Sequence, residues 1–153
     1  MGQRNMTVIH GQRQEYLAVT ADKTLKNTDT GRTMVISASG GRQRLGANGD
    51  GSVGAVTCSL PSISDVTAGF KCTLVFVSNH SHSVAGGAGL IYGNPHKLAP
   101  MGSAGAEQLS GSTSITLRAT EAIGSSEGCT IDIFSDGNKW YITGVLPYNP
   151  LIL

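Results

Sequence analysis

Short runs of β-prone residues, each closed by Gly, Asn, Asp or Pro, recur from residue 15 to residue 144 of this chain. Gly alone supplies 21 of the 153 residues, so turn formers occur at the spacing that short strands require. No window carries the apolar stripe that a helix needs, and only residues 62–68 are expected to form a helical turn. The pattern predicts one all-β domain over residues 15–144, either a β-sandwich or a jelly-roll-like barrel. The predicted strands cover residues 16–20, 32–37, 55–60, 70–78, 113–118, 129–135 and 139–143.

Two of these strands show which of their faces should be buried. In residues 114–118, Ile115 and Leu117 alternate with polar residues and should point into the core. In residues 70–77 the alternation gives way to a continuous apolar run. That run predicts a central strand that is covered on both faces near its end.

The clearest hairpin spans residues 131–142, where the sequence Asp-Gly-Asn separates two runs rich in β-branched and aromatic residues. Asp, Gly and Asn tolerate the positive φ angles that tight hairpin turns use. Because side chains alternate along a strand, Trp140 and Ile142 should share one face, and Tyr141 and Thr143 should share the other.

Three segments differ from the regular strand pattern. Residues 1–14 contain basic side chains but no acid and no apolar period, so we interpret them as an extended arm. Residues 85–112 are dense in Gly, Ala and Ser and are predicted to form a long loop, with at most short strands at 90–92 and 107–109. Residues 145–153 are uncharged and contain two prolines, which predicts an apolar tail that partner subunits cover.

The net charge of +1 argues against a partner that is itself highly charged. A protein that binds nucleic acid neutralises phosphates with a strong positive field, so we expect no nucleic-acid partner. No apolar run is long enough to cross a membrane, and the first residues lack the apolar stretch of a signal peptide. We therefore expect no membrane partner, and assembly in the cytoplasm.

The chain contains three cysteines, Cys58, Cys72 and Cys129, without a C-x-x-C spacing. An odd number argues against a disulfide framework, and each cysteine lies in a predicted strand. We interpret all three as small buried hydrophobic residues. A bridge between Cys58 and Cys72 on paired strands is the alternative.

His80 and His82 are two positions apart, so in an extended chain their imidazoles point to the same side. Together with His96 they could bind a metal. No cysteine or carboxylate lies close by in sequence to complete the ligand set, which favours an ordinary polar loop. A metal shared by copies of the chain around a symmetry axis is the alternative.

The sequence shows no arrangement typical of an enzyme. It lacks a G-x-S-x-G nucleophile elbow, its glycine-rich stretch fits no phosphate-binding pattern, and its carboxylates are scattered in turn contexts. We therefore predict no catalytic residues, no cofactor and no enzymatic activity.

Three stretches, taken in chain order, carry a family resemblance. Residues 20–36 contain T-A-D-K-T-L followed by T-D-T-G-R-T-M-V-I, and residues 56–73 contain V-T-C-S-L-P followed by A-G-F-K-C-T. Residues 123–144 contain I-G followed by S-D-G-N-K-W-Y-I-T-G. Together these stretches resemble the β-modules of virion proteins from tailed phages. They are most similar to capsid decoration proteins, also called cement proteins, and similar modules occur in phage fibres.

The resemblance implies a virion protein on the capsid surface that binds the major capsid protein at junctions between capsomers and stabilises the shell. The alternative is a receptor-binding module of a tail or head fibre. Because a fibre needs a shaft or an anchoring domain, the length of the chain favours the decoration protein. The resemblance and the apolar tail also predict a homotrimer. Contacts with the capsid or with neighbouring subunits are expected from Arg4, Arg13, Tyr148, Leu151, Ile152 and Leu153.

Overall fold

The computed structural model describes residues 16–38, 54–86, 90–98, 105–118, 126–147 and 150–153. These residues form fourteen short strands and two 3₁₀ turns, at Asn27–Asp29 and Ile63–Asp65. The second turn lies within the predicted helical turn. The strands are β1 (Tyr16–Val19), β2 (Lys23–Thr24), β3 (Thr33–Ile36), β4 (Thr57–Ser59), β5 (Lys71–Phe76), β6 (Ser83–Ala85), β7 (Ile91–Gly93), β8 (His96–Lys97), β9 (Gly105–Ala106), β10 (Leu109–Ser112), β11 (Ser114–Thr116), β12 (Thr130–Ser135), β13 (Trp140–Leu146) and β14 (Leu151–Ile152).

The strands form two mixed sheets. The nine-stranded sheet has the order β1-β3-β5-β12-β13-β7-β10, with β8 beside β13 and β9 beside β8. The five-stranded sheet has the order β14-β11-β6-β4-β2. The all-β prediction is therefore confirmed, and the two sheets form a β-sandwich-like fold. Six of the twelve strand pairs are parallel, including β1 with β3 and β3 with β5.

One hydrophobic core lies between the sheets and takes side chains from both. Phe70 and Trp140 meet edge to face, with ring centroids 5.4 Å apart and an interplanar angle of 88°, a geometry that aromatic quadrupoles favour. Ile115 and Leu117 are fully buried, as predicted. Burial of such side chains is the main source of stability in a fold with so few long elements.

The predicted hairpin is present as the antiparallel pair β12–β13. Gly137 has a φ angle of 89°, and the Asp136 carboxylate accepts hydrogen bonds from the backbone N–H groups of Asn138 and Lys139, each at 2.8 Å. Trp140 is buried. The hairpin therefore has the buried and exposed faces that its alternation predicts.

Strand β5 is central, between β3 and β12, as predicted. Its burial nevertheless alternates to the end, because Cys72, Leu74 and Phe76 are buried whereas Thr73 and Val75 are only half-buried. The prediction that both faces are covered near the end is wrong. The outer face of this sheet stays open, since no helix or second layer lies over it in the described part of the chain.

The segment 85–112, predicted as a long loop, contributes strands at each of its described parts. Strand β7 lies where residues 90–92 were expected to be extended, and it pairs in parallel with β13. Strand β10 pairs with β7 across a bulge at Gly111, whose φ angle is 72°. Small Gly and Ser side chains produce no apolar alternation, so these strands depend on backbone pairing with a strong neighbour.

The C-terminal segment also differs from its prediction. Strand β13 continues to Leu146, and β14 pairs with β11 so that Ile152 lies opposite Ile115. The beginning of the predicted tail therefore belongs to β13, and its end forms a strand at the edge of the five-stranded sheet, a position that tolerates nearby prolines. The predicted arm, residues 1–14, lies outside the described residues.

Candidate functional site

The outer face of the nine-stranded sheet carries a row of aromatic side chains. Phe134 on β12 lies opposite Tyr141 on β13, and Tyr141 lies beside Tyr92 on β7. These three residues are called the aromatic row below. Lys71 on β5 lies next to Phe134 and extends the row by one strand. Phe134 is 42% exposed and Tyr141 is 36% exposed, so much of this row is in contact with solvent.

Neighbouring groups hold the rings of the aromatic row in place. The Phe134 and Tyr141 ring centroids are 6.2 Å apart, and the Tyr141 hydroxyl donates a hydrogen bond of 3.0 Å to the Asp136 carboxylate. That hydrogen bond raises the pKa of Tyr141. The Lys139 ammonium lies 4.3 Å from the centre of the Tyr92 ring. Rings that are already oriented lose little conformational entropy when a partner binds.

A second row, of hydroxyl and carboxylate groups, runs parallel to the first. Thr33, Thr73, Asp132 and Thr143 occupy neighbouring positions on β3, β5, β12 and β13. The Thr73 hydroxyl donates a hydrogen bond of 2.6 Å to Asp132. Between the two rows is a shallow depression of about 350 Å³. It is lined by Lys71, Asp132, Ile133, Phe134, Tyr141 and Thr143.

A third row on the same face is aliphatic, apart from one threonine. Val35, Val75, Thr130 and Val145 follow one another across β3, β5, β12 and β13, and all four are half-buried. The outer face thus presents aromatic, polar and aliphatic bands on a regular sheet. Aromatic anchors with polar groups beside them are typical of protein interaction surfaces.

A separate cluster of buried polar residues closes one end of the sandwich. It consists of Ser78, His80, His82 and Ser126, and it is called the histidine cluster below. Ser126 Oγ donates to the His80 carbonyl at 2.7 Å and accepts from the His80 N–H at 3.1 Å. The two imidazole centroids are 5.8 Å apart. His80 Nδ1 is buried without a hydrogen-bond partner among the described residues.

The two histidines lie side by side, but the structure gives no support to a metal site. Both are buried, at 1% and 0% exposure, which places them away from any surface where copies of the chain could meet. Both ring nitrogens of His82 are already hydrogen-bonded. His96 lies on β8 in the nine-stranded sheet and is exposed. Within the described ranges, no three His, Cys, Asp or Glu residues could together bind a metal.

All three cysteines are buried and none is in a disulfide, as interpreted from the sequence. Cys58 lies on β4 and Cys72 on β5, and these strands belong to different sheets, so the alternative of a bridge between paired strands is wrong. Burial raises the pKa of Cys58 and of Cys72 to about 12, and that of Cys129 to about 11. The thiolate is the reactive form of cysteine, so these side chains should be inert.

We therefore expect the folded protein at pH 8 to react with a chromogenic disulfide reagent at roughly a hundredth of the rate of a free thiol or less. At a pKa of about 11 or 12 almost no thiolate is present at this pH. Addition of denaturant should make all three thiols react at once, releasing three equivalents of the coloured product per chain. The measurement is thiol titration with and without urea. Rapid labelling of one cysteine in the folded state would show that this cysteine is not buried.

Only some of the predicted contact residues can be placed. Arg4, Arg13 and Tyr148 lie outside the described residues. Leu151 and Ile152 are half-buried in β14, and Leu153 is 65% exposed at its end. These three belong to the five-stranded sheet, whereas the aromatic row lies on the other sheet. Tyr141 was predicted to face away from Trp140, but the sequence did not indicate that Tyr92 lies beside it.

Comparison with known proteins does not assign the chain to a family. No family model, no curated protein and no solved structure matches it. The described residues contain no helix that is both long and apolar enough to span a membrane.

Proposed function

We propose that this chain is a capsid decoration protein of a tailed phage, which binds the major capsid protein on the outside of the shell and stabilises the shell without carrying out chemistry. The observation that best supports the proposal is the ordered aromatic row on an open sheet face. A decoration protein needs a large, preorganised contact surface, and it needs no deep pocket. The family resemblance supplies the identity of the partner.

The aromatic row has the properties of an interface centre. Tyr and other aromatic residues dominate binding energy where they are clustered and surrounded by groups that exclude water. Here the second row, of hydroxyl and carboxylate groups, lies on one side of the rings. Lys71 and Lys139 supply positive charge close by. A partner surface with apolar and acidic groups would complement this pattern.

Shell stabilisation would follow from mass action alone. A protein that binds only the intact shell stabilises it by RT ln(1 + [L]/Kd), which is about 2.7 kcal/mol per site at a concentration of 100 Kd. Many sites on one shell multiply the effect. No catalytic group is required for this function.

A receptor-binding module of a fibre is the second candidate, and the depression beside the aromatic row favours it. Phe134 and Tyr141 provide ring faces, and Asp132 and Thr143 provide hydrogen-bonding groups at its wall. Such a lining suits a small polar ligand on a cell surface. The two candidates predict opposite effects on shell stability and on attachment to cells.

Assembly as a homotrimer on the virion surface, with the arm residues Arg4 and Arg13 contacting the capsid, remains part of the proposal. The apolar tail no longer argues for the trimer, because β14 already pairs with β11 within its own chain. Support for the trimer now comes from the family resemblance alone. Residues Leu151 and Ile152 are correspondingly less available for subunit contacts.

The double substitution Phe134→Ser with Tyr141→Ser should abolish decoration while leaving the protein folded, since both side chains are on the solvent side of the sheet. We expect at least about a hundredfold loss of affinity for undecorated particles, because two interface anchors contribute about 2 kcal/mol each or more. The measurement is sedimentation of the added protein with particles that lack it, followed by heating and detection of released DNA.

The matched control is Leu98→Ser, which removes an exposed apolar side chain (53% exposed) outside the row and should leave binding unchanged. Particles decorated with wild-type protein or with the control should release DNA at a higher temperature than bare particles. If shell stability is the same with and without the protein while attachment to cells is impaired, the fibre candidate replaces the decoration protein.

A further inference from the structure

The histidine cluster connects the two sheets through one continuous chain of hydrogen bonds. The Ala38 N–H, just after β3, donates to Ser78 Oγ at 2.8 Å, and Ser78 follows β5 in the same sheet. Ser78 Oγ is 2.9 Å from His82 Nε2. His82 Nδ1 accepts a hydrogen bond of 3.0 Å from the N–H of Val56, which precedes β4 in the other sheet.

This arrangement requires a neutral His82 in one tautomer. A backbone N–H can only donate, so the lone pair of His82 Nδ1 must face Val56. The ring proton is then on Nε2 and is donated to Ser78 Oγ. A proton added to Nδ1 would remove the bond from Val56 and would place a positive charge on a side chain with 0% exposure, at a high cost in free energy.

We propose that the histidine cluster is an acid-sensitive clasp, in which protonation of His82 breaks the hydrogen-bonded connection between the two sheets and opens this end of the sandwich. The proposal does not depend on the assignment to a virion. It rests on the direction of the hydrogen bonds and on the burial of the ring.

The titratable and charged side chains around His82 do not stabilise its charged form. His80 is the titratable side chain that faces it from the same segment, and the Phe76 ring lies 5.6 Å away. The segment carrying Ser126 contributes buried Cys129 and exposed Glu127. Arg118 adjoins Leu117, whose N–H bonds to the His82 carbonyl. The second imidazole disfavours an added positive charge on His82.

The direction of the pH effect follows from these surroundings. Burial first, and then the charge of His80, lower the pKa of His82 from 6.5 to about 4, against an opposing effect of the Ser78 and Val56 backbones. Between about pH 4 and pH 6.5, the unfolded chain therefore binds a proton at His82 that the folded chain does not bind. Stability from this residue is complete above pH 6.5 and is lost as the pH falls towards 4.

The first test compares the pH dependence of unfolding for the wild type and for His82→Asn, measured by urea denaturation between pH 8 and pH 4.5. Between these limits the wild-type unfolding constant should rise by roughly two orders of magnitude from this residue alone. Asn retains an oxygen that can accept the Val56 N–H but does not titrate, so the variant should be less stable at pH 8 and should show a flatter dependence. His96→Asn, at an exposed histidine, is the matched control and should keep the wild-type dependence.

The second test needs no variant and separates opening of the clasp from global unfolding. Amide hydrogen exchange of Val56 and Ala38, corrected for the intrinsic rate, should accelerate at least about tenfold between pH 6.5 and pH 4.5, while amides of the β12–β13 hairpin stay protected. The proposal would be overturned if the free energy of unfolding had the same pH dependence in the wild type and in His82→Asn. A folded-state NMR titration in which His82 gains its proton near pH 6.5 would overturn it as well.

Discussion

Substitution of Gly144 by alanine should cost about 2–6 kcal/mol of stability, a large fraction of the total for a domain of this size. Gly144 lies in β13 with a φ angle of +122°, which L-residues rarely adopt. An added Cβ would collide with the carbonyl oxygen of Thr130 on the neighbouring strand and would lie 3.1 Å from Ile131 Cα. Both obstacles are backbone atoms of the central hairpin, so neither can move without breaking the pairing.

Gly128→Ala is the matched control for this prediction. Gly128 also has a positive φ angle, of +85°, but a Cβ there would meet nothing within 4 Å. Only the backbone strain remains, which costs about 1–2 kcal/mol. The measurement is the free energy of unfolding in urea for both variants. Equal costs would show that strain alone, without the close approach of β12 and β13, sets the penalty.

Removal of the Asp29 carboxylate by Asp29→Ala should cost about 3 kcal/mol, because the groups that it pairs with stay in place and lose their buried partner. The side chain accepts hydrogen bonds from the Lys26 N–H at 2.9 Å and from Arg32 Nη1 at 3.1 Å. Lys23 Nζ lies 3.1 Å from Asp29 Oδ2, the same oxygen that accepts from the Lys26 N–H. Asp29 is only 2% exposed, so water cannot replace these contacts.

The Lys97–Glu107 pair provides the control, since its ions are also 3.1 Å apart but each is about one third exposed. Glu107→Ala should cost no more than about 1 kcal/mol. The measurement is the urea midpoint at pH 7 for both variants. A larger loss at Glu107 than at Asp29 would mean that burial does not decide the strength of these ion pairs.

The contribution of Asp29 should also depend on pH. Burial would raise the pKa of this carboxyl, but the Lys26 N–H, Lys23 and Arg32 together hold it below its ordinary value. Its stabilising effect is therefore complete above the unfolded pKa of about 3.9 and is lost as the pH falls through the lower folded value. From pH 6.5 down to about pH 5, over the upper part of the range where the clasp responds, Asp29 contributes a constant amount.

The parts of the fold that could be predicted from the sequence are those specified by neighbouring residues. The β12–β13 hairpin depends on the turn at Asp136, Gly137 and Asn138, and its two faces follow from simple alternation. Strands β7 to β10 could not be predicted in full, because Gly- and Ser-rich segments become strands only when a partner edge is available. Parallel pairing of β1, β3 and β5 joins segments that are far apart in the sequence.

The candidate sites show the same limit. The outward direction of Tyr141 could be predicted, but Tyr92 enters the aromatic row through parallel pairing with β13, which no local pattern indicates. The spacing of His80 and His82 favoured an ordinary polar loop, with a metal site as the alternative. It did not indicate that the His82 ring accepts a hydrogen bond from the Val56 N–H, which lies 26 positions away.

The position of the central hairpin has a consequence for the order of folding. Among the described strands of the nine-stranded sheet, β1, β3 and β5 form one half, β7 to β10 form the other half, and β12 and β13 connect the two halves. During synthesis, both halves must therefore wait for the last third of the chain, with open edges that can pair with other molecules. The hairpin itself should close within about 1–10 μs, whereas completion of the sheet should take milliseconds or longer. A change that slows the hairpin would thus lower the yield of folded protein in the cell even where the final stability is unchanged.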